Sequence, residues 1–383
     1  MCIRDRDGST TLNANVTATG AIQFNDAVNL THDVTLASTN AGDIGFAKTV
    51  DGADNLIVNT AGTTTFSGVV GGTTQLTSLM TDMNGFIALN ANVTTTGAIQ
   101  FNDQVNLTHD VTLTSTNAGS IGFAKTVDGA DNLVVNTTGI TTFSGVVGGT
   151  TALTSLTTDM GGFTTLNANV STTGAIQFND VVNLTHDVTL TSTNAGNIRF
   201  AKTVDGADNL IVNTAGITTF GGVVGGTTQL TSVTTDMPGS TTLNADVTTT
   251  GVIQFNDAVN LIHDVTLAST SAGNIEFAKT IDGAENLIIN TAGITTFSGV
   301  VGGTTQLTSI TTDMPGSTTL NANITTTGAI QFNDAVNLTQ DVTLTSSNAG
   351  SIGFAKTVDG ANNLIVNTAV SYTHLTLPTN REV

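Results

Sequence analysis

GAIQFNDQVNLTHDVTLTSTNAGSIGFAKTVDGADNLVVNTTGITTFSGVVGGTTALTSLTTDMGGFTTLNANVSTT, Gly97 to Thr173, is one copy of a 77-residue unit that makes up nearly all of this chain. Its opening GAIQF or GVIQF recurs at Gly20, Gly97, Gly174, Gly251 and Gly328, with no insertion or deletion between copies. A period that strict marks a solenoid or a tandem array and outranks any local motif. It says what kind of object the chain is before it says what the chain touches.

Within the copy, sustained 3.6-residue apolar spacing is missing and period-two alternation is everywhere. Ile99 and Phe101 flank Gln100, Val105 and Leu107 flank Asn106, and Val111 and Leu113 flank Thr112. One side of each short segment is apolar and the other is Thr, Asn or Gln, as a half-buried strand requires. A finer sub-repeat is also present. Phe101-x3-Val105, Phe123-x3-Val127, Phe143-x3-Val147 and Leu166-x3-Val170 share one pattern, and Val111, Leu133, Leu153 and Ile176 follow each Val by six.

The spacing predicts an all-β, parallel β-helix (β-solenoid) with about four turns per repeat, each turn holding three short strands and three bends. Four sub-units in 77 residues average about 19 each, although the steps of 22, 20, 23 and 12 are uneven and leave one register open. At about 4.8 Å per turn, residues 8–369 would make roughly 19 turns and a rod about 90 Å long. Asn and Gly suit the sharp bends, because both tolerate left-handed backbone angles. Asn25, Asn29, Asn55 and Asn59, with their copies, are placed to form side-chain ladders. The rival architecture is a string of β-sandwiches, one per copy. It lacks a buried-Trp candidate, a Cys pair or a corner Tyr, and does not account for the sub-repeat.

The two ends fit no part of this pattern. Residues 1–7 begin MCIRDR, and residues 370–383 read VSYTHLTLPTNREV. Both resemble adapter-derived tails on translated metagenome fragments, so they are set aside as non-native, and residues 8–369 are treated as one continuous solenoid. The parent protein is expected to extend in both directions. The only Cys, the only Tyr and three of the four Arg sit in these ends. The formal charge is −20, and removing the ends takes away three Arg and three acids, leaving it unchanged. Such a chain repels nucleic acid and anionic membrane. No run of about 20 apolar residues is present to span a membrane as a helix.

The run TTFSGVVGGTTALTSLTTDM, followed by a stretch whose consensus over the copies is TTLNANVTTTGAIQFNDAV, resembles the β-strand-repeat surface proteins of bacteria. These are similar to filamentous haemagglutinins and autotransporter passenger domains. The resemblance covers essentially all of residues 8–369. It implies a secreted β-helix at the bacterial cell surface, associated with the outer membrane, serving as the stalk of a large adhesin. Partners would then be host or biofilm glycans and proteins, contacted by parts outside this stretch. End-to-end or lateral self-association is a further expectation. The resemblance carries no catalytic residue, so no enzyme activity, cofactor or metal residue is expected. The alternatives are a scaffold for a polysaccharide-active site elsewhere and a calcium-stabilised adhesin repeat.

Individual residues of the repeat admit narrower chemical readings. His32, His109, His186 and His263 each precede an Asp, with Gln340 in the fifth copy. Equivalent positions would lie about four turns, near 19 Å, apart, too far to share a metal, so these read as surface turns. VDGADN and its copies (Asp51, Gly52, Asp54) superficially resemble an acidic calcium loop but lack the ligand count of one, and Asp-Gly is foremost a turn. Lys48, Lys125, Lys202, Lys279 and Lys356 precede that Asp by three, which suggests a local ion pair worth little. Outward Thr such as Thr112, Thr114 and Thr116 invite an ice-binding reading. Thr is, however, simply the polar residue best suited to strands.

Overall fold

A computed structural model describes residues 8–369 apart from Met83, Met160, Met237 and Met314. The two ends set aside above lie outside the described residues. The regular elements are 48 strands of two to six residues, with no helix among the described residues. Strands pair in parallel, each with the turn below and the turn above. The chain is a β-solenoid with three walls.

The second copy shows how the walls are filled. Val93–Thr95, Ile99–Phe101 and Gln104–Leu107 occupy walls one, two and three, and Val111–Ser115 returns to wall one. Winding continues through Ile121–Phe123, Val127–Asp128, Asn132–Thr137 and Ile140–Phe143. At Val147 the third wall narrows to a single bridging residue between Val127 and Val170. Ser155–Thr158, Phe163–Leu166 and Val170–Thr172 complete the copy. Its successor opens with Ile176–Phe178 on wall one, whereas Ile99–Phe101 opened on wall two.

One copy therefore fills eleven wall segments, three and two-thirds turns, at about 21 residues per turn. The strands alone make 16 turns of wall, and the bridges at Val70, Val147, Val224 and Val301 bring the total to just over 17. This corrects the expected 19 turns, and the described rod is about 80 Å long at 4.8 Å per turn. Each copy is turned by a third of a revolution against the last, and the orientation returns only after three copies. The anomalous step of 12 is thereby explained. Leu166 to Phe178 crosses two walls and is not a turn, and the true partner of Leu166 above is Leu184.

Apolar alternation fills the interior because it keeps phase with the walls. Phe101, Phe123, Phe143, Leu166 and Leu184 form one inward column, pairing turn by turn. The three rings stack with centroids 5.6 and 5.0 Å apart and are at most 1% exposed. Burying each contributes about 1.5–3 kcal/mol. The Val105, Val127, Val147 and Val170 column is as expected. The neighbouring one is not: Leu156, and not Leu153, stacks on Leu133 and under Ile176. Leu153 sits in the long bend after Val147 and bridges to Thr172.

The bends use specific backbone devices. Gly129 has φ +132°, and a Cβ there would fall 2.3 Å from the Leu107 carbonyl oxygen of the turn below. A Cβ on Gly119 would come within 2.2 Å of the Gly97 backbone, so at this edge only glycine lets the turns approach. Buried hydroxyls cap the same edge: Ser115 Oγ accepts from Gly119 N at 2.9 Å, and Thr137 Oγ1 donates to Gly119 O at 2.7 Å. The expected Asn ladders are replaced by mixed ones. Asn55 donates to Asp33 Oδ1 at 2.9 Å and accepts from Ser78 Oγ at 2.6 Å. Asn29 faces Thr11 and Asp51, and Asn59 faces Ala37. Mixed ladders form because equivalent residues of successive copies never lie on adjacent turns.

Candidate functional site

The surface carries shallow grooves along its edges. One is lined by Asn167, Asn169, His186, Asp187 and Asp208, and its counterpart in the next copy by Asn244, Asp246, His263, Asp264 and Glu285. His32, His109, His186 and His263 are exposed. Equivalent copies lie on different edges of the rod, not one above another at the expected 19 Å. The neighbouring acids are already engaged: Asp110 Oδ1 accepts from Asn132 N at 3.0 Å and from Asn132 Nδ2 at 2.9 Å. The Asn132 backbone N–H, then its side chain, holds the Asp110 carboxyl below the usual carboxylate range, with a smaller contribution from His109. Asp33, Asp264 and Asp341 are held down in the same way by Asn55, Asn286 and Asn363.

The VDGADN segment forms a bend. Asp128 Oδ1 accepts from Thr150 N and Thr151 N at 2.8 and 3.0 Å, so the first acid of the supposed calcium loop closes the next turn. Lys48 reaches back one turn to Asp26 at 4.0 Å. Outward Thr112 is followed up its wall by Val134, Thr157, Gln177, Arg199 and Thr219, so no flat Thr array forms there. Among the described residues no three His, Cys, Asp or Glu gather to hold a metal ion. Among the described residues no helix is long and apolar enough to cross a membrane.

The most unusual chemistry lies where sequence reasoning did not look. Asp103, Asp180, Asp257 and Asp334 are at most 1% exposed. Each sits in a bend one turn above another acid: Asp82, Asp159, Asp236 and Asp313 respectively. Thr164 Oγ1 donates to Asp180 Oδ2 at 3.0 Å, and the buried Thr158 hydroxyl faces the same carboxyl. In the next copy Thr241 Oγ1 lies 3.0 Å from Asp257 Oδ2 and 3.2 Å from Thr235 Oγ1. The lower acid is tied to the backbone: Asp236 Oδ1 accepts from Thr214 N at 2.8 Å and Asp313 Oδ1 from Thr291 N at 2.9 Å. One oxygen of each upper acid, Asp103 Oδ2 or Oδ1 of the other three, is shielded from solvent and has no hydrogen-bond partner among the described residues.

Burial pushes the Asp180 and Asp257 carboxyls up to about 6, and the charge of the acid one turn below adds to it. Asp103 and Asp334 are raised for the same first reason, as are Asp82, Asp159 and Asp236. A signal for these acids was available. Residues 99, 101, 103, 105 and 107 are in phase, so the alternation that sends Phe101 and Val105 inward sends Asp103 inward too. No family model, curated protein or solved structure matches the chain.

Proposed function

We propose that the chain is a segment of a stiff stalk, a spacer that acts through its length and carries no reaction centre of its own. The observation behind this reading is the continuity of the three walls. They run through every copy boundary with one buried core from Leu12 to Leu344, so a copy extends the rod without adding a joint. In the finer form of the reading, the stalk belongs to a large secreted bacterial adhesin and holds a binding tip away from the cell surface. The rotation of each copy by a third supports a passive surface, because exposed side chains of one kind are dealt out to three sides and do not accumulate on one.

Small-angle scattering on chains carrying one and two additional 77-residue copies tests the spacer reading. The maximum dimension should grow by about 18 Å per copy at constant cross-section. Growth of the cross-sectional radius, or a flexible-chain profile, would refute a continuous rod. Immunolabelling of intact cells expressing the gene tests the placement, and label that appears only after permeabilisation would sink it.

A further inference from the structure

The stacked carboxyl pairs ask for a counter-charge that the rod only partly supplies. Consider the pair Asp159 and Asp180. From below and beside it come Thr137, Thr158, Thr164 and Gly162, none of which titrates. From above, register places Lys202 over Asp180, since Val182 pairs with Val204. Arg199, on the same upper turn, is directed to Asn179 Oδ1 at 3.4 Å. The corresponding lysines lie at the mouth of the bend: Lys125 lines a shallow groove with Asp103, and Lys356 lowers Asp334 slightly without reversing its upward shift. Two carboxylates one turn apart, walled by hydroxyls and each upper one with an orphaned oxygen, cannot both stay ionised cheaply.

We propose that each such pair takes up a proton in the folded rod, making the solenoid a pH-responsive structure that tightens as the medium is acidified from neutrality. The orphaned oxygen is where the proton would sit, and the resulting hydroxyl would donate to the acid below. The sign follows from linkage. The Asp180 and Asp257 carboxyls lie above their unfolded value of 3.8, at about 6, so above about pH 6 they are charged in both states and the burial cost is fully present. As pH falls from about 6 toward 3.8 only the folded state gains the proton and stability rises; below 3.8 both states are protonated and the gain levels off. A carboxyl at about 6 in place of 3.8 holds its proton on the order of a hundredfold more tightly in the folded chain.

The test is thermal melting of the full chain and of the quadruple variant D103N/D180N/D257N/D334N, from about pH 7 to about pH 4.5, with and without millimolar calcium. Asn has the shape of the protonated acid and can donate to the carboxylate below. The expected result is a Tm that rises on acidification in the parent, with calcium making no difference. The variant should start higher at pH 7 and show a much flatter profile. Protons released on unfolding near pH 5 provide an independent readout, and D180N alone should release fewer than the parent even if the quadruple variant folds poorly. A parent Tm that is flat or falls toward pH 5, or a variant with the parental slope, would overturn the proposal. Calcium at pH 7 reproducing the acid gain, and losing that effect in the variant, would also overturn it by making the bend a cation site.

Discussion

Asp103 and Asp110 stand seven residues apart in the same copy, each in a bend, and the fold treats them oppositely. Asp103 is 1% exposed and its carboxyl is pushed up by burial; Asp110 is exposed and its carboxyl is held down by Asn132. Phase and partners account for the difference. Asp103 keeps the inward phase of Ile99 and Phe101 across a two-residue bend, so it lands among hydroxyls and a second acid. Asp110 follows a wider bend that breaks phase, which leaves its oxygens free to accept N–H groups from the turn above. An aspartate that accepts backbone N–H bonds at a rim stabilises the ionised form, and one desolvated behind a wall stabilises the neutral form.

The largest effect should come from removing the hydroxyls that make an inward acid tolerable. Thr164→Val deletes the 3.0 Å donor to Asp180 Oδ2 with almost no change of shape. At neutral pH the loss should be about 1–3 kcal/mol, at the upper end because the stranded acceptor is charged. In denaturant melts the deficit should shrink near pH 5, where the carboxyl takes a proton. An equal deficit at both pH values would mean that the threonine only fills space, and the contrast between the two aspartates would lose its inward half.

The rim aspartates set the other limb of the pH profile. Their folded values lie below 3.8, so their contribution is present above the unfolded value and is lost as pH falls through the folded one. Together with the inward acids this places the stability maximum in mild acid, with a decline below about pH 4. Asp110→Ala should weaken that low-pH decline and lower the neutral Tm, by less than Thr164→Val does. A double-mutant cycle with Asn132→Ala checks the assignment, because the two losses should fail to add. Additive losses would disconnect Asp110 from Asn132.

Much of this architecture was legible in the sequence, and the failures have physical causes. Strands, inward phase and the 22-, 20- and 23-residue steps are fixed by side chains that must meet an apolar interior. Phe101, Phe123 and Phe143 accordingly stack as their spacing implied. The two-thirds turn was hidden because a sequence period reports where chemistry recurs, not how far the chain has wound. Leu153 misled for a related reason: wall three shrinks to Val147 alone, and the surplus chain forms a bend with its own buried leucine. Asp103 gives no signal by residue type, because aspartate is so seldom fully buried. The alternation around it was the better guide.

The smallest effect is expected at the residue that first drew notice. His109 lies beside Asp110 and lowers its carboxyl only after the Asn132 bonds have done most of the work. Its ring is exposed, with Nδ1 3.4 Å from Thr108 Oγ1. His109→Gln imitates the fifth copy, where Gln340 precedes an Asp341 still held down by Asn363. Stability should therefore change by no more than about 0.5 kcal/mol, as for surface sites away from special features. The Asp110 carboxyl resonance in a side-chain NMR titration should move only slightly. A large upward move would transfer the rim's control of its aspartates from the Asn of the next turn to the His beside them, and Asp341 would then need a different explanation from Asp33, Asp110 and Asp264.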